Sequence, residues 1–210
     1  MSLTLSSPWA MSAPVKPAED TRRILLDASI DLVATEGLAA LSMREVARRA
    51  GVSHQAPYHY FVDREAILAE IVVEGFQLLR AQMVSAAAAA KTPGKRLSAI
   101  GRAYLAFALE HTAHFKLMFR SELVPAEKHK QAHDCANSAF DLLVSTVDEV
   151  VCENRGKPDP SLVLAAWSVA HGLATLLLEG KLKGQVGDTR RAQVAAAHEA
   201  PEAFTLLIER

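Results

Sequence analysis

A chain of 210 residues, half of them apolar, with 23 basic and 24 acidic side chains, can bury a sizeable core and carries almost no net charge. The balance excludes a polyelectrolyte tail protein. The two cysteines, Cys135 and Cys152, are too few for a disulfide framework, which points to a reducing compartment, the cytoplasm.

In chain order, the opening "MSLTLSSPWAMSAPVKPAED" has neither a basic start nor a continuous apolar stretch. It fails as a signal peptide, and residues 1–18 read as a disordered tail. Leu25, Ala28 and Leu32 then mark one face of a helix that Gly37 ends. Ser42 stands before "MREVARRA" as an N-cap, and Glu45 three residues on completes a capping box. Met43, Val46 and Ala47 form the apolar face of this short helix, and Gly51 supplies a turn with positive φ. Ser53 is expected to cap a second short helix. Two short helices about a glycine turn form a helix-turn-helix, whose second helix enters the DNA major groove by its first residues.

The side chains of that second helix suit the task. His54, Gln55 and Ala56 fall in its first turn, where an amide can pair with adenine and a methyl can meet the thymine methyl. Tyr58 and His59 follow one turn on, within reach of phosphates, and Phe61 turns inward as a core plug. Arg44, Arg48 and Arg49 before the turn and Arg64 after it are candidate phosphate ligands. Residues 19–65 contain six Arg, no Lys and eight acids, so a positive field must come from placement and not from net charge.

Strand-like alternation is nearly absent from the remainder, and the fold class is all-α. Leu68, Ile71, Gly75 and Leu78 mark a helix starting near Asp63 and running to about residue 90. Breaks at "TPGK", Pro125, "GKPDP" and "GQVGD" leave helices near 96–111, 112–120, 127–154, 161–181 and 188–208. Short helices up to residue 61 and long ones afterwards suggest two domains, 19–65 and 66–210, divided inside the helix that starts near Asp63. The run from Ser161 to Leu178 is uncharged and long enough to graze a membrane span, but Ser161, Ser168, His171 and Thr175 interrupt it and no aromatic belt flanks it. A helix buried between subunits or within a bundle is the better account, with no membrane partner.

His129, His133 and Asp134 have the spacing of a partial metal site, which would make a metal- or redox-responsive regulator the alternative function. A solvated helix face explains the same spacing, and no metal or other cofactor is expected. A helical enzyme is a further alternative. However, the chain lacks a glycine-rich phosphate loop, G-x-S-x-G, H-E-x-x-H and any carboxylate pair whose spacing implies catalysis.

"TRRILLDASIDLVATEGLAALSMREVARRAGVSHQAPYHYFVDREAIL" resembles the N-terminal DNA-binding domain of the TetR family of transcriptional regulators. The resemblance places DNA contacts on Arg44, Ser53, His54, Gln55, Ala56, Tyr58, His59 and Arg64. Gln55, Pro57 and Arg64 depart from the residues usual at those places. "AAWSVAHGLATLLLEG" resembles the Trp-x-x-x-His-Gly signature of one subgroup of TetR C-terminal domains, here Trp167, His171 and Gly172.

The family likeness implies a homodimeric repressor on a palindromic double-stranded DNA operator, released by a small-molecule effector. Pairing is expected through the helices near 161–181 and 188–208, with Ala166, Ala170 and Ala174 as a small-residue stripe at the contact. Candidate effector-pocket residues are Phe107, His111, Phe115, Met118, Phe119, Phe140, Trp167 and His171, which favour an apolar or aromatic ligand.

Overall fold

The computed structural model describes residues 18–209 except Asp188; the tail expected at residues 1–18 lies almost wholly outside the described residues. Among the described residues the chain is helical throughout, with no strand. The order is α1 (Ala18–Glu36), α2 (Met43–Ala50), α3 (Arg64–Ala88), α4 (Pro93–Glu110), α5 (Thr112–Met118), α6 (Lys130–Arg155), α7 (Pro160–Leu178), α8 (Lys183–Val186) and α9 (Arg190–Ile208). Short 3-10 turns at Leu38–Ala40 and Ala56–His59 flank α2.

Local chemistry sets most of these ends. Ser42 Oγ accepts the Glu45 N–H at 3.2 Å, and Gly51 closes α2 in the left-handed region at φ 67°. Only half of the expected capping box forms, because the Glu45 carboxylate turns forward to Arg48. Asp63 caps α3, Thr92 with Pro93 starts α4, and Asp159 with Pro160 starts α7.

The main core runs without a break from Leu25, Leu32 and Val46 near the N-terminus through Ile67, Ile71 and Leu79 of α3 to Leu105, Phe107 and Leu117. Helix α3 therefore belongs to both halves of the molecule. A smaller core of Leu97, Val147, Val150, Val151, Val163 and Ile208 joins α4, α6, α7 and α9. Two close approaches fix the helix spacing. A Cβ at Gly75 would lie 2.6 Å from Met118 Sδ, and one at Gly101 would lie 2.7 Å from the Cβ of Pro201, which sits inside α9.

The alanine stripe of α7 does not face outward as expected. Ala166 and Ala174 are buried in the cores of their own subunit and Ala170 packs partly against them. The outward face carries Leu164, Val169 and Leu176 instead, and a Cβ at Gly172 would meet open space. A helix of mean hydropathy 1.8 with only 22% of its apolar window buried is underpacked in a single copy.

Candidate nucleic-acid interface and ligand cavity

Beyond Gly51 the backbone does not form the expected α-helix. Ala56 N–H bonds to the Ser53 carbonyl at 3.0 Å and Tyr58 N–H to the Gln55 carbonyl at 3.1 Å, a tight 3-10 turn in which the Ser53 side chain makes no cap. Pro57 explains the difference: it has no N–H to offer the Ser53 carbonyl, so i to i−3 bonds replace the first α-helical ones. Its ring is buried, and with Phe61 it anchors the turn to the core. Ser53, His54, Gln55, Tyr58 and His59 are left exposed and Ala56 half-buried, on one short, stiff segment.

The arginines divide by partner. Arg44 is exposed and Arg48 is exposed but paired with Glu45. Arg49 is held by Asp31, Glu36 and the Thr35 hydroxyl, so it staples α2 to α1. Arg64 is half-buried and donates from Nη2 to the Leu38 carbonyl at 2.8 Å, while its Nε is buried without a partner. That guanidinium braces the loop before α2 and does not project as the phosphate ligand the sequence suggested.

A cavity of about 450 Å³ lies among α3, α4, α6, α7 and α9 with the end of α5. Met118, Phe119, Phe140 and Trp167 line it; Phe107, His111, Phe115 and His171 stand outside its wall. Phe107 is completely buried in the main core and stacks on His111 at 4.9 Å between ring centroids. His171 sits directly behind the wall: Nδ1 is 2.8 Å from the Tyr104 hydroxyl, and its ring meets Phe119 edge-on at 4.5 Å and stacks on Phe115 at 5.5 Å. Burial pushes the Tyr104 hydroxyl well up and the His171 imidazole down, so both are uncharged at neutral pH. Sequence reading missed Tyr104; a single phenol on the apolar face of α4 was its one signal.

Between the N-terminal helices and the cavity, α1, α3 and α5 are tied together by charged side chains. Arg23 of α1 binds the Glu74 carboxylate on α3, and Glu74 lies 3.2 Å from Nε2 of buried His114 on α5, the helix that carries Met118 at its end. Burial raises the Glu74 carboxyl, but Arg23 and His114 together outweigh it and hold it below its usual range; burial dominates at His114 and lowers it. A second tie runs from Glu65 at the start of α3 to His129 at 2.8 Å, with Lys128 beside it. His133 bonds instead to Asn137. Among the described residues no three His, Cys, Asp or Glu side chains converge as a metal site needs. Both cysteines, on α6, are free.

Residues 25–71 match the family model described as bacterial regulatory proteins, tetR family, and residues 97–200 match the tetracyclin repressor-like C-terminal domain. The HTH-type transcriptional regulator BetI of Rhizobium meliloti (strain 1021) is 38% identical over 81 residues, 39% of this chain and 40% of that protein. The chain thus spans about two fifths of that curated relative's length. A structure of a protein of unknown function from Rhodococcus sp. RHA1 superposes with a TM-score of 0.75 and 29% identity over 98% of this chain and all of that one. PfmR from Thermus thermophilus, described as a TetR family transcriptional regulator, has the same fold with a TM-score of 0.67 at 21% identity, covering 88% of this chain and 97% of that one.

Proposed function

Because this chain belongs to the TetR family of transcriptional regulators, in which BetI and PfmR above are named as regulators, we propose that it acts as a homodimeric repressor released from a palindromic operator by a small apolar or aromatic effector. Residues 19–65 form the DNA-binding domain and 66–210 the effector-binding and dimerisation domain, acting in the cytoplasm. Arg44, Ser53, His54, Gln55, Ala56, Tyr58 and His59 meet the DNA, Arg48 reaches phosphate once it leaves Glu45, and Arg64 positions the loop behind them.

The observation that carries this reading is a chain of contacts that runs from α2 to α1 through Arg49, then through Arg23, Glu74 and His114 to α5, the helix that ends at the cavity-lining Met118. An effector that displaces Met118 acts on the same short helix as His114. Linkage then requires that the effector prefer the DNA-released form, and that DNA weaken effector binding by the same factor. Pairing is supported by the outward apolar residues of α7, with Val194, Leu206 and Leu207 exposed on α9. A two-fold contact through these faces would set two reading turns on successive major grooves.

Binding to DNA fragments from beside the gene, followed by fluorescence anisotropy at several salt concentrations, tests the reading. A steep salt dependence and a preference for one palindromic fragment over random DNA are expected. Equal affinity for all fragments would remove the operator-reading role.

A further inference from the structure

We infer that the effector is electrically neutral: the cavity takes an uncharged, largely hydrocarbon or aromatic molecule and rejects the carboxylate or ammonium analogue of the same shape. This rests on the reading of the cavity as the effector site. Among the described residues, the wall holds no Asp, Glu, Lys or Arg side chain, although such residues make up 22% of the chain. An ion entering it would lose its hydration without gaining a counter-charge, whereas an apolar chain loses nothing of the kind.

Apart from the Trp167 indole N–H, a donor that carries no charge, the polar groups that line the cavity are already engaged or sit at its rim. Inside, the Tyr104 hydroxyl is bonded to His171, and Thr205 is shared between Ser98 and the Pro201 carbonyl. His133 and Asn137 are exposed and bonded to one another, beside exposed Ser121. His171 and Tyr104 are both held in their neutral forms by burial, so neither offers a charge to pair with an ionised ligand. A ligand hydroxyl, carbonyl or ester can exchange a hydrogen bond with Tyr104 or reach the rim pair; inside the cavity, behind that rim, a full charge finds no partner.

Three probes of matched length separate the possibilities with the full chain: decanol, decanoate and decyltrimethylammonium. Binding is read twice, by the rise in melting temperature and by the fluorescence of Trp167 in the cavity wall. Decanol is expected to bind at least about tenfold more tightly than either ion at pH 8, since only the ions bear a desolvation penalty. In Trp167→Phe the fluorescence change should vanish, which assigns the signal to the cavity-wall indole and not to Trp9, the other tryptophan of the chain. Decanoate or the ammonium binding as tightly as decanol overturns neutrality while leaving an effector site in place. No binding by any probe, or melting shifts without a Trp167 signal, overturns the inference together with the use of this cavity. Operator binding without probes is measured separately, so failure of the DNA-reading role shows independently.

Discussion

Pro57 decides how His54 and Gln55 are displayed. By denying the turn its first α-helical bond and burying its own ring, it fixes a stiff segment whose polar side chains point to solvent. Base-reading and backbone-gripping residues should then separate on mutation. Gln55→Ala or His54→Ala should change which base is preferred, at about 1–3 kcal/mol for a lost bidentate contact, whereas Arg44→Ala should weaken all sequences alike and flatten the salt slope. Anisotropy titrations on a set of single-base operator variants check this; identical profiles for both kinds of substitution would remove residues 53–59 from the reading role. His171 and His114 make a second residue-level prediction. Both have pKa values depressed on folding, so the folded state binds fewer protons than the unfolded one. Their stabilisation is complete above the unfolded histidine value of about 6.5 and declines as pH falls through the lower folded values. The melting temperature should therefore drop on acidification below about pH 6.5, before carboxylates titrate, and His171→Asn should lessen that drop.

Among the elements, α3 and α5 are pressed together at Gly75, where the added methyl of Gly75→Ala would meet Met118 Sδ and crowd His114. Overpacking of this kind costs about 1–3 kcal/mol, measurable by urea unfolding. Glu74→Gln should act differently: amide hydrogen exchange in α1 and α5 should rise together while α9 is unchanged, because the carboxylate holds those two elements to α3. Unaltered exchange in α1 would show that Glu74 does not couple the halves. The helices themselves were largely legible in the sequence, since caps such as Ser42 and breakers such as Gly51, Pro93 and Gly156 act over a few residues. The 3-10 turn after Ser53 was not, because a cap preference and a proline penalty oppose each other there and sequence gives no weight to either. The facing of α7 was misread for another reason. The uncharged helix offers only Ser161, Ser168, His171 and Thr175 to set its phase; they gather on one side, but the alanine stripe was given the subunit contact over that weak cue until packing placed Ala166 and Ala174 inward. Cavity and core were likewise indistinguishable, since Phe107 and Phe119 are the same residue type in a solid interior and beside a void.

At the scale of the molecule, the exposed Leu164, Val169 and Leu176 leave apolar surface of α7 uncovered within the single chain. Leu176→Arg should place a charge against the partner's apolar face, and a buried unpaired charge is strongly disfavoured. Light scattering should then report the mass of one chain, with helicity by circular dichroism kept because Leu176 is exposed within its own subunit. An unchanged pair mass would move the interface elsewhere. If the chain pairs and represses as proposed, the same surface ties repression to gene dosage. While pairing is weak relative to the chain's abundance, the number of operator-competent pairs follows the square of the number of chains, so halving the copies of the gene leaves about a quarter of the pairs. Daughter cells that inherit unequal numbers of chains at division would differ more in the expression of the controlled gene than in the amount of regulator they received.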